Sequence, residues 1–305
     1  MNVLSLCDGM SCGQIALKEL GIPIDTYYAS EIDKNAIKVT MDNFPNTIQL
    51  GDVTKITEET LKTLPKIDLV IFGSPCRSLS AATAGRPQYN NGLQGVSGLF
   101  YDCNKILQWV QQHNNPNVKF LVENVDSSKK GDIATISEQL GVEAVLINSN
   151  LFSAQDRKRL YWTNIDIAPL PEECTTVLND ILDKTVDEKY FYDAPFTYHG
   201  DDKKVQATLH INEHDILKRV YNKAYKGPTL TSCRGGNLQK KVFVNGRCRK
   251  LTPSEYRKLQ TIPDWYEMNV ADSHIYNMCG DGWTVEVIKH IFQGLRFADT
   301  TAKTE

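Results

Sequence analysis

The sequence predicts an α/β protein built on a doubly wound, mostly parallel sheet. In the first half of the 305-residue chain, short apolar runs alternate with segments of helical periodicity. This alternation is typical of parallel strands that are covered by helices on both faces. The expected strands lie at residues 3–6, 27–30, 67–72, 120–122 and 145–147. Ligands of such sheets bind beyond the carboxyl ends of the strands, so the residues after each strand are the first candidates for a functional site.

Helices are expected between and after these strands. They cover residues 14–20, 33–43, 133–140, 212–224 and 284–297, and Gly21 is placed to end the first of them. Another helix should open at Thr252, because Thr252-Pro253-Ser254-Glu255 combines a capping box with proline in the first turn. The glycine-rich segment 78–98 interrupts this order and is expected to be a long loop.

The composition narrows the class of protein. Hydrophobic residues make up 41% of the chain, which fits a folded globular protein. No apolar run approaches the roughly 18 residues of a membrane span, and the N-terminus lacks a basic segment followed by an apolar one. We therefore expect an intracellular, cytoplasmic protein with no membrane partner. The eight cysteines are scattered without Cys-x-x-Cys spacing, which predicts reduced thiols and no metal site.

Charge is distributed unevenly, although the formal net charge is only −3. Acidic residues predominate over residues 166–215, whereas lysine and arginine predominate over residues 234–258. A localised basic face suits the phosphate backbone of a nucleic acid. On charge alone, a solvated basic surface without a partner is equally compatible with the pattern.

The turn after the first strand has features of a cofactor site. Its sequence is Cys7-Asp8-Gly9-Met10-Ser11-Cys12-Gly13, and glycines here let a ligand approach the backbone amides. The turn lacks Gly-x-Gly-x-x-Gly spacing, which disfavours a nicotinamide dinucleotide. Glu31 ends the second strand, where an acid can accept from both ribose hydroxyls, and Asp52 is placed to meet an adenine amino group. Because no phosphate-binding lysine follows the glycines, these features favour S-adenosylmethionine over a nucleotide.

Three further motifs follow predicted strands and carry reactive side chains. Cys76 ends Gly73-Ser74-Pro75-Cys76, and a thiol at a strand end lies where the ligand should be. Glu123 follows the strand at 120–122, and Gln155-x-Arg157-x-Arg159 sets two arginines on one side of an extended segment. Taken singly, each motif has an alternative: a buried structural cysteine, a helix-capping acid, and surface arginines.

As an ordered set, these motifs resemble those of the cytosine-5 DNA methyltransferases. The resemblance extends from Val3 to Phe292, and it is greatest to the compact branch that includes the mammalian de novo enzymes and similar phage and bacterial enzymes. Residues 95–100, 228–232 and 280–285 support that branch. The resemblance implies the sheet of S-adenosylmethionine-dependent methyltransferases with a small target-recognition lobe. It also implies a catalytic and cofactor-binding domain over residues 1–165, a target-recognition region over 166–250 and C-terminal helices over 251–305.

The resemblance also implies roles for individual residues. Cys76 would attack carbon 6 of a flipped cytosine, Glu123 would bind its ring nitrogen 3 and exocyclic amine, and Arg157 and Arg159 would hold the base and the catalytic acid. The cofactor, S-adenosylmethionine, would be surrounded by Cys7, Gly9, Met10, Ser11, Glu31, Ile32, Asp52, Val53, Pro75, Leu99 and Trp283. Double-stranded DNA would be contacted by Arg77, Ser80 and Arg86 in the loop, and by Ser232, Arg234, Asn237, Gln239, Lys240 and Lys241 in a recognition segment at 231–241.

The chain also departs from the family pattern. Cys7 stands where many members have phenylalanine, Arg77-Ser78-Leu79-Ser80 replaces Gln-Gly-Phe-Ser, and Asp281 follows Gly280 in place of asparagine. The same catalytic set would serve a tRNA cytosine-5 methyltransferase, and an inactive DNA-binding homologue would share the fold. A cognate restriction endonuclease would be a functional partner, while the target sequence and the oligomeric state stay open.

Overall fold

The computed structural model describes residues 1–75, 98–126 and 130–298. The chain divides into two compact units. The first comprises Met1–Ile147, Lys158–Pro169 and Ile288–Glu305, and the second comprises Asn148–Arg157 and Leu170–Val287. The functional division at residues 165 and 250 stays a prediction, because it concerns roles and these units are defined by packing.

The first unit contains a seven-stranded sheet with the strand order β3-β2-β1-β4-β5-β7-β6. Its strands are β1 (Asn2–Leu6), β2 (Thr26–Ser30), β3 (Ile48–Gln49), β4 (Leu69–Gly73), β5 (Lys119–Val125), β6 (Val145–Asn148) and β7 (Lys158–Thr163). β1 to β5 pair in parallel, and β7 runs antiparallel to β5. The predicted fold class, a doubly wound and mostly parallel sheet, is confirmed.

Five helices follow strands of this sheet. They are α1 (Cys12–Glu19), α2 (Lys34–Asn43), α3 (Glu58–Lys62), α4 (Leu99–Trp109) and α5 (Lys130–Leu140). Asp33 caps α2 by accepting from the amide of Asn35, and Gly21 follows α1 with φ +65°. Gly13 lets α1 lie directly on the sheet, because a Cβ there would be 2.2 Å from Cδ1 of Ile71.

Apolar side chains from both strands and helices form the core of the first unit. Buried residues of this cluster include Leu4, Leu6, Val70, Phe72, Phe100, Val122, Ile136 and Trp162. The inner strands are buried along almost their whole length, as expected for a sheet covered on both faces. The accessible polar groups of these inner strands therefore lie at the strand ends.

The second unit contains a five-stranded sheet with the order β12-β11-β10-β9-β8. The strands are β8 (Phe196–Tyr198), β9 (Val205–Leu209), β10 (Arg219–Asn222), β11 (Lys241–Val244) and β12 (Arg247–Lys250), and the helices are α6 (Leu178–Ile181), α7 (Asp215–Lys218), α8 (Pro253–Leu259) and α9 (Asp272–Asp281). α8 opens with the predicted capping box of Thr252 and Glu255. A last helix, α10 (Val285–Phe292), continues from this unit into the first and ends in a 3-10 turn at Gln293–Ala298.

The predicted helix over residues 212–224 is wrong. Only α7 is helical there, and the chain continues directly as β10, which pairs with β9 and β11. Val220 packs fully buried in the small core of this sheet with Leu209 and Cys248. Burial of Val220 and pairing with two strands override the helical periodicity of the segment.

Within the described parts of the chain, no helix is long and apolar enough to cross a membrane. The seven cysteines of those parts are free thiols, and five of them are buried.

Candidate functional site

Four neighbouring strands bring the predicted motifs to one edge of the first unit's sheet. β2, β1, β4 and β5 are adjacent and parallel, so their carboxyl ends lie side by side. Leu6 pairs with Ser30 on one side and Phe72 on the other, and Gly73 pairs with Glu123. The turn after β1, Glu31, the segment leading to Cys76 and Glu123 therefore share this edge, which is called the strand-end site below.

The turn after β1 is tied to the end of β2 by Glu31. One carboxylate oxygen of Glu31 accepts from the amide of Gly9 at 2.7 Å, and the other accepts from the amides of Ile32 and Asp33 at 2.7 and 2.9 Å. A carboxylate offers about four acceptor positions, so these three bonds leave capacity for a ribose hydroxyl. Sequence reasoning assigned Glu31 to the ribose alone and missed its bond to Gly9.

A buried carboxyl group beside this turn was also missed. Asp8 accepts from the hydroxyls of Ser5 at 2.6 Å and Tyr27 at 2.8 Å through Oδ1, and from the hydroxyl of Ser11 through Oδ2. Burial of the carboxyl raises the pKa of Asp8 to about 6, although the three hydroxyl donors act in the opposite direction and Glu31 adds to the rise. The signal in the sequence was an acid inside a glycine-containing turn with serines three residues away on either side.

The other predicted cofactor residues of the first unit are distributed around the strand-end site. Ile32 is 70% exposed, an unusual state for a large apolar side chain, whereas Met10 and Ser11 are buried and would offer only backbone atoms. Asp52 accepts from the amide and hydroxyl of Thr54, and this hydroxyl lowers the pKa of Asp52.

Three more of these predicted positions belong to the core of the first unit or pack against it. Val53 is buried in it, and Cys7 and Leu99 are partly buried against it. Cys7 has φ +53°, and its Sγ lies 3.9 Å from Sγ of Cys103. Pro75 is partly buried beyond the end of β4.

Glu123 and Arg159 form an ion pair at the end of β5. Glu123 lies opposite Tyr161 in the antiparallel pairing of β5 with β7, and Arg159 lies opposite Val125, so the two side chains are diagonal neighbours. Nε of Arg159 is 2.9 Å from Oε1 of Glu123, and both side chains are nearly buried, with 13% and 9% exposed. The arginine therefore fixes the orientation of the carboxylate.

The segment before the predicted nucleophile is held by Asn124. Nδ2 of Asn124 donates to the carbonyl and the hydroxyl of Ser74 at 3.4 and 3.3 Å. Asn124 is buried, and sequence reasoning gave it no role although it stands in the Glu-Asn-Val motif. Cys76, Arg77, Ser80, Arg86 and the loop at 78–98 lie outside the described residues, apart from Gly98.

Arg157 differs from the expectation that it contacts the base or the catalytic acid. It belongs to the second unit, where it is 3% exposed. Its guanidinium donates to the carbonyls of Leu230, Gly280 and Gly282 at 2.9 to 3.0 Å. Because Leu230 is distant in sequence from Gly280 and Gly282, these bonds tie two backbone segments of the second unit to Arg157.

Several predicted DNA contacts in residues 231–241 also point inward. Lys241 is 1% exposed, and its ammonium donates to the carbonyls of Asn237 and Gln239. Burial lowers the pKa of Lys241 to about 8 and also lowers that of Lys240, which is partly buried. Gln239 is buried. In this conformation, the side chains of Gln239 and Lys241 are buried, and their predicted contact with DNA stays a prediction.

The remaining predicted contacts of this segment differ in accessibility. Asn237 accepts from the hydroxyl of Tyr192 and donates to Glu213, so its amide is already engaged. Ser232 and Arg234 are exposed, and the hydroxyl of Ser232 donates to Asn277. Trp283, the last predicted cofactor residue, is partly buried in the second unit, just before α10.

The sheet with an acid at the end of β2 and a glycine turn after β1 defines an α/β methyltransferase fold. The chain matches the family described as C-5 cytosine-specific DNA methylase over residues 1–296. It belongs to this family, and it is a DNA cytosine-5 methyltransferase whose methyl donor is S-adenosylmethionine.

Bacterial and phage enzymes are among its relatives. The chain is 25% identical to the type II methyltransferase M.Bsp6I of Bacillus sp. strain RFL6, an alignment that covers 97% of this chain and 98% of the relative. It is 27% identical to the orphan methyltransferase M.SPRI of Bacillus phage SPR, where 78% of this chain aligns with 65% of the relative's length.

Solved structures show the same fold. The S. pombe Dnmt2 methyltransferase aligns with a TM-score of 0.70 at 17% identity, covering 98% of this chain and 99% of that one. The Entamoeba histolytica methyltransferase EhMeth aligns with a TM-score of 0.70 at 15% identity, covering 98% of both chains. Identities this low carry information on the fold alone.

Proposed function

We propose that the protein methylates carbon 5 of cytosine in double-stranded DNA, after the base has been flipped out and attacked by Cys76. One observation carries this proposal: Glu123 is held by Arg159 at the end of β5, beside the end of β4, which leads through Ser74 and Pro75 to Cys76. A fixed acid and a thiol that follow neighbouring strands in the sequence suit addition to a pyrimidine ring.

Each side chain has a defined part in the chemistry. The thiolate of Cys76 forms a bond to carbon 6, and a protonated Glu123 donates to ring nitrogen 3, which receives the electron density of the broken carbon 5–carbon 6 double bond. Carbon 5 then takes the electrophilic methyl group that S-adenosylmethionine supplies. A water-derived base takes the carbon 5 proton, which re-forms the carbon 5–carbon 6 double bond and expels Cys76 as a thiolate, and ring nitrogen 3 returns its proton to Glu123. Arg159 acts by keeping the carboxyl of Glu123 in one orientation.

The cofactor would be held by the first unit. Glu31 would accept from a ribose hydroxyl with its remaining capacity, Asp52 would accept from the adenine amino group, and the exposed Ile32 would cover an adenine face. The amides of the Gly9 turn would approach the methionine part closely, because glycine leaves the backbone accessible. These residues fit the donor, since they offer hydrogen-bond acceptors and one bare apolar surface without a phosphate-binding cation.

Two segments of the chain would supply the contacts to DNA. Arg77, Ser80 and Arg86 would contact it from the loop after Cys76, and the exposed Ser232 and Arg234 from the recognition segment. A flipped base costs a few kcal/mol, which such contacts offset. The protein would act in the cytoplasm of a bacterial or phage-infected cell, with or without a cognate restriction endonuclease.

Bisulfite sequencing of plasmid DNA from a methylation-deficient bacterial host that expresses the chain tests this proposal. We expect complete methylation of one cytosine within a short recurring sequence, and none in a host expressing Glu123→Gln. Transfer RNA from the same cells is sequenced in parallel. Methylated tRNA with unmethylated plasmid would assign the enzyme to RNA, and absence of methylation from both would contradict the proposal.

A further inference from the structure

The turn after β1 has a strained backbone. Cys7 and Ser11 are not glycines, yet both adopt left-handed conformations, with φ +53° and +55°, and Gly9 between them has φ +58°. A left-handed conformation is unfavourable for residues with a Cβ, so other bonds must hold it. The amide of Gly9 donates to the carboxylate of Glu31. The side chain of Ser11 is hydrogen-bonded to Asp8 and Thr40.

The Ser11 hydroxyl is fixed by an arrangement that ends on Asp8. It accepts from the hydroxyl of Thr40 in α2 at 3.3 Å and donates its own proton to Oδ2 of Asp8. Oδ1 of Asp8 accepts hydrogen bonds from the hydroxyls of Ser5 in β1 and Tyr27 in β2. Three hydroxyl protons therefore point at one carboxyl group, an arrangement that suits an ionised carboxylate, since an ionised carboxylate only accepts.

The surroundings of Asp8 oppose that ionisation. The ionisable groups that face it are Glu31 at the end of β2 and Tyr27 within β2, with Cys12 of α1 acting on Tyr27. None of these is a cation. A carboxylate without a cationic partner in a buried position destabilises the folded protein, so a neutral side chain would favour folding at neutral pH. A residue that destabilises the folded protein in this way is typical of a functional site.

We propose that Asp8 is a positioning residue for the methyl donor, and that its carboxylate fixes the Ser11 hydroxyl and thereby the left-handed turn on which the donor binds. This inference rests on the cofactor site proposed above. Asparagine cannot replace the acid. With the amide nitrogen of asparagine in the place of Oδ2, the hydroxyl of Ser11 would have no acceptor there. Protonation of Asp8 would have the same effect.

The affinity for the methyl donor should depend on pH, because the pKa of Asp8 is raised. Burial raises the pKa of Asp8 to about 6, so the carboxylate is present at pH 8 and is mostly lost near pH 5. The affinity of the wild type for the donor should therefore exceed that of Asp8→Asn at pH 8, and the two should converge near pH 5. Ser5→Ala removes a hydroxyl that lowers this pKa, so the convergence should move to higher pH.

Calorimetric titration of the whole protein with S-adenosylmethionine and with S-adenosylhomocysteine, between pH 5 and 8, tests the inference without DNA. At pH 8 we expect Asp8→Asn to bind both ligands at least fivefold more weakly than the wild type, with a ratio near one at pH 5. The melting temperature of Asp8→Asn at pH 8 should equal or exceed that of the wild type, because a buried charge is removed. A merely structural role would lower it.

Three results would overturn the inference. The first is equal affinity of wild type and Asp8→Asn at pH 8, and the second is an affinity ratio that does not change with pH. The third is a loss confined to S-adenosylmethionine, which would mean that Asp8 attracts the positive sulfonium and does not position the turn. If the wild type itself binds neither ligand, the proposed cofactor site fails and this inference fails with it.

Discussion

The strand-end site of the first unit and the interior of the second unit differ in the partners of their charged side chains. At the strand ends, Arg159 pairs with the carboxylate of Glu123, and both stand where a ligand of the sheet would bind. In the second unit, Arg157 and Lys241 donate to backbone carbonyls and are 3% and 1% exposed. The two arginines of one motif therefore differ in their partners: Arg159 pairs with a carboxylate, and Arg157 donates to backbone carbonyls.

The largest expected effect is at the strand-end site. Glu123→Gln removes the proton donor to the base, and general acid–base catalysis typically contributes on the order of 10²–10⁴-fold. We expect kcat to fall by about that factor, while the affinity for S-adenosylmethionine changes less than threefold. Arg159→Ala should lower kcat in the same direction, because the carboxyl loses its fixed orientation. Single-turnover kinetics measures both, and wild-type rates in Glu123→Gln would remove this residue from the mechanism.

Substitution of Arg157 should lower the stability of the protein more than its methyl transfer. Arg157→Ala removes the guanidinium donor to the buried carbonyls of Leu230 and Gly280, whereas Gly282 keeps a donor in Gln260. Each unsatisfied buried group costs about 1–3 kcal/mol. We expect the free energy of unfolding of the second unit to fall by about 3 kcal/mol, with Arg157→Lys recovering only part of it. Urea denaturation checks this. A fully stable Arg157→Ala with lost methyl transfer would place Arg157 with the catalytic groups and end the contrast with Arg159.

Substitution of Glu31 should have an intermediate effect, because Glu31 binds the amide of Gly9 in the turn and is proposed to bind the ribose. Loss of a charged hydrogen bond costs about 1.5–3 kcal/mol, and about 1.4 kcal/mol corresponds to tenfold in affinity. We therefore expect Glu31→Ala to bind S-adenosylmethionine at least tenfold more weakly in calorimetry. Glu31→Gln, which keeps one acceptor oxygen, should lose less. Unchanged affinity in Glu31→Ala would exclude the residue from the cofactor site.

The smallest expected effect is on the salt dependence of DNA binding, and it should differ between two basic residues of the recognition segment. Arg234 is exposed and Lys241 is buried. Arg234→Ala should weaken DNA binding and reduce its salt dependence by about one ion. Lys241→Met, which keeps much of the side-chain volume, should leave the salt dependence unchanged. Titration of a labelled duplex at several salt concentrations distinguishes them, and a reduced slope in Lys241→Met would show that this lysine reaches phosphate.

The fold and the strand-end site could be predicted because a parallel sheet makes local sequence informative. An apolar run fixes a strand, and the next residue then lies at a known edge. The positions of Glu31 and Glu123 at this edge were predicted in this way. Asp8 and Asn124 were missed, since their importance comes from hydroxyls and carbonyls on other strands and not from their own spacing.

The second unit was predicted less well for a related reason. Residues 212–224 have a helical pattern, but pairing of Val220 with Ala207 across two strands determined their conformation. The inward orientation of Lys241 depends on the carbonyls of Asn237 and Gln239 and on the ring of Tyr192, 5.7 Å from its ammonium. Such non-local partners leave no periodic signal in the sequence.

The proposed attack by Cys76 on cytosine is tested most directly by trapping the enzyme on DNA. A duplex that carries 5-fluorocytosine at the methylated position is incubated with the protein and S-adenosylmethionine, and the product is weighed by intact-mass spectrometry. Fluorine replaces the proton that must leave carbon 5, so the wild type should accumulate a covalent adduct that includes the transferred methyl group. Cys76→Ala should form none, although it still binds the donor. An adduct of equal yield in Cys76→Ala would contradict the assignment of the nucleophile.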